Sequence, residues 1–170
     1  MKRALFLLFF LTFLSFARAE LYLNEINYNP EGSDNNKEFI EVYLTELEGI
    51  ENYTIEDSSA SDPDHLTLLQ YREGHFALIV EEDFDYSSIN ASIYSVGTTI
   101  GNGLNNDRDT IILKDENSNI IEAISYTNDW GGDNNGNTLC KIPEITGLWQ
   151  ECSSTPGSEN QYILDLQNFT

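Results

Sequence analysis

Thr110-Ile111-Ile112-Leu113-Lys114 runs into Asp115-Glu116-Asn117-Ser118-Asn119 and out again into Ile120-Ile121-Glu122-Ala123-Ile124-Ser125-Tyr126. Two runs rich in β-branched and apolar residues, parted by a cluster of turn formers, read as strands joined by a hairpin turn. The same alternation of run and turn recurs in both directions. Residues 21–26 precede Asn29-Pro30-Glu31-Gly32-Ser33-Asp34, and β-like runs follow at 38–43, 53–57, 66–71, 76–80, 91–96 and 138–142. No window carries a sustained 3.6-residue apolar stripe with caps. Many short, evenly spaced strands predict an all-β chain, a sandwich or barrel, and no repeat, low-complexity tract or long linker divides it.

The 170 residues suit a single domain, and 40% hydrophobic content is too high for a disordered acidic tail. The 29 acidic and 8 basic side chains give a net charge of −21. That charge excludes a phosphate-tracking nucleic-acid binder and disfavours anionic lipid; it favours cations or a basic partner. Lys2 and Arg3 precede an uncharged run at 4–16, and Ala17-Arg18-Ala19 has the small-x-small form of a signal-peptide cleavage site. The apolar run falls short of the roughly 20 residues of a membrane span. The expected organisation is a signal peptide over 1–19, a β-sandwich over 20–160, and a tail or edge strand over 161–170. The exported chain would start at Glu20 with 5 basic and 29 acidic side chains, a net of −24, and without a stable membrane anchor.

Glu38-Phe39-Ile40-Glu41-Val42-Tyr43 reads as acid out and apolar in; with period two, Phe39 and Glu41 form the outward pair and Ile40 and Val42 turn to the core, with Ile111, Leu113 and Ile124 expected on the facing strands. Trp130 and Trp149 read as packed anchors. Pro156-Gly157 reads as a turn whose neighbouring backbone Asn160 can bond. Two cysteines in an exported chain favour a Cys140–Cys152 disulfide between adjacent strands, with Trp149 packed close by.

Taken in order, these motifs resemble the lamin-tail domain family, immunoglobulin-like β-sandwiches found in nuclear lamins and in many secreted prokaryotic proteins. Asn24-Glu25-Ile26 in 23–30 is similar to that family's first strand, Glu38 to Tyr43 to its second, and the run ending in Asp57 to the next. Asp109-Thr110 opens a strand like its Gly-Asp-Thr strand, and Trp130, Trp149 and Thr155-Pro156-Gly157-Ser158-Glu159-Asn160 resemble its closing signature. Arg108 stands where the family often has Gly, and Phe39 where it often has Trp. The resemblance implies an immunoglobulin-like sandwich in which these residues are structural; the lamin rod and its filament role do not transfer.

The residues that carry chemistry are few. No Gly-x-Ser-x-Gly elbow seats a nucleophile, and Lys37, Lys114 and Lys141 lack a nuclease-like acid-x-Lys context. A two-carboxylate, glycan-directed hydrolase stays open, and its mark would be a cleft with two facing carboxylates of raised pKa. A calcium-dependent adhesion domain is the other alternative, with Asp107, Asp109, Asp133 and Asn135 as candidate ligands and Asp57, Asp62 and Asp64 as a further acidic cluster. Asp115-x-Asn117-x-Asn119 starts like a calcium loop, but Ile120 takes the position that needs Gly, so a hairpin turn is expected. Asn52, Asn90 and Asn168 head N-glycosylation sequons. The expected function is that of a secreted, non-catalytic binding or structural module. It would need no cofactor, and its partner would be a protein or cell-surface polymer.

Overall fold

The computed structural model describes residues 21–47, 49–58 and 62–163. The leader with its cleavage site, the Asn168 sequon and the tail beyond 163 lie outside them. Among the described residues there are eleven strands and one 3₁₀ turn. The strands are β1 (Leu21–Asn27), β2 (Phe39–Leu44), β3 (Thr54–Glu56), β4 (Asp64–His65), β5 (Thr67–Gln70) and β6 (Phe76–Val80). They continue with β7 (Ser92–Ser95), β8 (Arg108–Lys114), β9 (Ile120–Thr127), β10 (Asn137–Ile142) and β11 (Leu148–Ser153). The 3₁₀ turn is Asn128–Trp130. The chain is an all-β sandwich: a seven-stranded sheet, β11-β10-β1-β2-β6-β7-β5, packs on a four-stranded sheet, β4-β3-β8-β9.

The β8–β9 hairpin forms where the sequence predicts it. The Asp115 carboxylate accepts from the Asn117 and Asn119 backbone N–H groups at 2.9 and 2.8 Å and from Asn119 Nδ2 at 3.0 Å. Ser118 takes the left-handed φ of 63° that closes the turn. Asp115 is thus spent on the turn itself, as an Asx turn requires.

Ile40 and Val42 from the large sheet meet Ile111, Leu113 and Ile124 from the small one, all five buried in the inter-sheet core. The other face of β2 departs from expectation. Glu41, expected outward with Phe39, is 0% exposed, and Glu38, just before the strand and also read as an outward acid, is 4% exposed. The 155–160 segment closes over Glu41 and the Leu104 backbone over Glu38, and a further cover follows because β6 and β7 pair in parallel and parallel neighbours need a crossover connection. The 81–91 crossover lies on the outer face, where Phe84, Tyr86 and Ile89 cover Phe39, Leu78, Val80 and Ile93 in a second apolar cluster. Strands buried on both faces lose the simple in–out alternation on which the prediction rested.

Trp130 also departs: it stands on the 3₁₀ turn, 42% exposed, and is no core anchor. Trp149 is half-buried at the edge of the main core, its ring 5.3 Å from the Lys141 ammonium. Cys140 and Cys152 are joined, their Cα atoms 6.1 Å apart on the paired strands β10 and β11. Period-two alternation sends Trp149 and Cys152 to opposite faces of β11, so the indole packs on the core and not beside the disulfide. Beyond β11, Gln161 bridges back to Ser153, while Tyr162 and Ile163 are exposed.

Candidate functional site

Two groups of carboxylates stand out, one on β2 through Glu41 and one beside its start through Glu38. The first starts from an irregularity in β1. Leu21 and Leu23 face the core, then the register with β2 shifts between Leu23 and Glu25. The extra residue sends both Asn24 and Glu25 to the outer face and returns Ile26 and Tyr28 to the core, as a β-bulge does. Asn24 Nδ2 donates to Glu41 Oε1 at 2.7 Å, and Thr138 Oγ1 donates to Glu25 Oε1 at 2.7 Å. The closing segment then folds over both acids. The Thr155 N–H donates to Glu25 Oε1 at 3.0 Å, and the Gly157 N–H donates to Glu41 Oε2 at 2.6 Å. Asn160 Nδ2 reaches Asn24 Oδ1 at 3.0 Å and the Lys141 carbonyl at 2.8 Å.

This group is a latch. Burial raises the Glu25 pKa, with the Thr138 and Thr155 hydrogen bonds pulling the other way. Burial and then the charge of Glu25 push Glu41 well above the carboxylate range, against the Gly157 and Asn24 hydrogen bonds. Both side chains are fully buried, so no substrate reaches the pair. Asn24, Glu25, Glu41, Gly157 and Asn160, singled out separately in the sequence, converge here. Pro156 shapes the turn that delivers the Gly157 N–H.

The second group lines a cavity of about 330 Å³ between the 34–38 turn and the 99–106 loop. Glu38 just before β2, Glu81 just after β6 and Asp34 supply its acids. Four carboxylates hold the far wall in place. Asp64 accepts from the Gly101 N–H at 2.5 Å, Asp57 from the Asn102 N–H at 2.7 Å, Glu38 from the Leu104 N–H at 3.2 Å and Asp109 from the Asn105 N–H at 3.1 Å. Asp109 also takes Ser58 Oγ at 2.6 Å and the Thr110 N–H at 2.7 Å. Burial works against its charge, but the Ser58, Thr110 and Asn105 bonds prevail and hold its pKa below the usual range.

Glu38 behaves in the opposite way. Burial pushes its pKa up to about 8; the Leu104 N–H pulls it back, and the charges of Glu81, Asp34 and Asp109 raise it further. Burial likewise raises Glu81, against hydrogen bonds from the backbone N–H groups of Asn36, Lys37 and Glu38. Glu81 Oε2 is buried without a hydrogen-bond partner.

The calcium candidates do not gather. Asp109 and Asp57 are committed to the loop. Asp133 Oδ1 accepts from Asn29 Nδ2 at 2.5 Å, Asn135 Nδ2 donates to Glu151 Oε1 at 2.6 Å, and Asp107 is exposed. Among the described residues no three His, Cys, Asp or Glu side chains are grouped to hold a metal ion. The sequon residues Asn52 and Asn90 are exposed.

Sequence reasoning singled out Glu38 only as part of a motif and passed over Asp34 and Glu81. The one trace of Glu81 is that it continues the apolar run 76–80 without a break. Among the described residues no helix is long and apolar enough to cross a membrane. Searches against protein-family models, curated proteins and solved structures find no match to this chain.

Proposed function

We propose that the chain is an exported, non-catalytic binding or structural module with a lamin-tail-like, immunoglobulin-like sandwich, acting at the cell surface or outside the cell. The observation that carries this reading is the sealed latch. The motif acids Glu25 and Glu41 are fully covered by the 155–160 segment and occupied by its N–H groups. Acids spent on internal donors hold a fold together and leave no reacting pair. The Cys140–Cys152 disulfide and the leader-like residues 1–19 support an oxidising, exported setting. A strongly acidic surface supports a basic protein or polymer as partner.

One observation favours the hydrolase reading instead: the open cavity does hold two carboxylates of raised pKa, Glu38 and Glu81. A glycosidase pair needs one acid protonated and the other ionised across the scissile bond. No aromatic ring lines the cavity to stack a sugar. Binding is therefore preferred.

The test is expression with the native leader, N-terminal sequencing of the exported product, and assay of that product on a panel of β- and α-linked glycans. The expected result is Glu20 at the N-terminus and no turnover. Turnover abolished by Glu38→Gln would overturn the reading in favour of the hydrolase.

A further inference from the structure

The cavity beside Glu38 has the volume of a small-ligand site, and its charge is one-sided. Asp34, Glu38 and Glu81 line it, and no basic side chain does. The Lys and Arg side chains among the described residues are placed elsewhere. Lys114 and Lys141 are paired with Glu56 and Glu122, Lys37 Nζ donates to the Glu31 carbonyl, and Arg72 donates to the Tyr71 carbonyl. Arg108 is exposed at the start of β8.

A second observation is independent of the charge. Glu81 is 5% exposed, lines the cavity, and keeps Oε2 without a partner. Backbone N–H groups of Asn36, Lys37 and Glu38 hold the Glu81 carboxylate, and the oxygen they leave over is a buried polar atom of the kind that is nearly always satisfied, so a donor settling against this wall would complete it. The acids do not converge tightly enough to form a metal-ligand group. Acceptors spread around a space of about 330 Å³ suit a cation whose N–H donors are themselves spread out.

We infer that this cavity receives the guanidinium or ammonium end of an arginine or lysine side chain presented by a basic partner, with Glu81 and Asp34 as its charge partners. This rests on the binding-module reading and names the chemistry of its partner. The four-carboxylate clamp on the 99–106 loop keeps the far wall in place before the ligand arrives, which limits the entropy lost on binding. Glu38 adds a pH dependence. It is faced by Asp34 on the preceding turn, Glu81 after β6, Asp109 on β8 and Tyr126 on β9. Every one of these is an acid or a phenol, and the adjacent Lys37 holds its Nζ on the Glu31 carbonyl, so an arriving cation favours the ionised form of Glu38. Binding then releases a proton and tightens as pH rises toward 8.

The experiment is amide NMR of the ¹⁵N-labelled exported chain titrated with Nα-acetyl-arginine methylamide, with its lysine counterpart, with the neutral citrulline analogue, and separately with calcium chloride. The expected result is shifts confined to residues 34–38, 81 and 99–106 for the two cationic probes. Affinity should be at least threefold tighter at pH 8.5 than at pH 6.0, and citrulline should bind at least fivefold more weakly than arginine. Glu81→Gln should weaken the cationic probes at least fivefold. Asp34→Asn, on the turn and outside the apolar core, provides the same test if Glu81→Gln unfolds. Shifts scattered over the acidic surface and unchanged in both variants would overturn the inference. So would equal binding of citrulline, or calcium shifting these amides while the side-chain probes do not. Glycan turnover by the unaltered chain would sink the module reading alone, since probe binding in the cavity is measured separately.

Discussion

Asn160 Nδ2 donates to Asn24 Oδ1 at 3.0 Å across 136 residues of chain, fastening the closing segment to the bulge in the first strand. The same amide also reaches the Asn24 and Lys141 carbonyls at 3.3 and 2.8 Å. Asn160→Ala would leave buried acceptors on two strands without a donor. Each orphaned group costs about 1–3 kcal/mol, so urea denaturation should show a loss of about 2–4 kcal/mol. A double-mutant cycle with Asn24→Ala should give a coupling of at least about 0.5 kcal/mol; strict additivity would show that the two side chains do not act together.

Ile111 and Leu113 are fully buried on β8, facing the large sheet. Truncation of either to Ala should cost about 2–5 kcal/mol, from lost transfer energy and the cavity left behind. Ile112, half-buried on the opposite face of the same strand, should cost distinctly less. Equal losses at all three positions would contradict the strand register.

Cys140 and Cys152 close a loop with a sequence separation of 12 between β10 and β11. Replacing both with Ser should lower stability by about 2–4 kcal/mol. Mass spectrometry of the unreduced, proteolysed protein should show one linked peptide pair. Two free thiols in protein from an oxidising compartment would remove the staple from the fold.

Glu38 holds its proton more tightly in the folded chain, with its pKa pushed up to about 8 from an ordinary 4.5. Its contribution is complete below pH 4.5 and is lost as pH rises through about 8. Glu25 and Glu41 are shifted in the same direction. Asp109, shifted down from 3.8, acts in reverse: its contribution is present above that value and disappears as pH falls below it. Unfolding free energy should therefore decline between pH 4.5 and 8, and Glu38→Gln should flatten that decline. An unchanged slope in the variant would mean that Glu38 does not titrate in this window.

Gly101 has a φ of +62°, and a Cβ placed there would collide with the Asp57 carboxylate oxygen. That oxygen accepts the Asn102 N–H. Gly101→Ala should therefore displace Asp57, loosen the 99–106 wall and cost about 1–3 kcal/mol. The Asn102 amide should exchange faster with solvent, measured by hydrogen exchange, while the β8–β9 hairpin keeps its protection.

The sequence by itself determined the all-β class, nearly every strand and the Asp115 hairpin. It also determined the cysteine pairing and the inward set Ile40, Val42, Ile111, Leu113 and Ile124. These follow from local terms, namely β-branched runs, turn chemistry and period-two patterning, which act within a few residues. The tertiary structure alone decided the second face of β2. The sequence cannot show that β6 and β7 pair in parallel, yet that pairing brings the crossover onto the outer face and buries Phe39. Glu41 is likewise read outward from its neighbours, and is buried because Gly157, 116 residues away, closes over it. The cavity is less legible still. Asp34, Glu38 and Glu81 come from three separate places in the chain, and each alone is an ordinary acid. Their shared charge, the orphaned oxygen on Glu81 and the raised pKa of Glu38 exist only once folding brings them together and takes the water away.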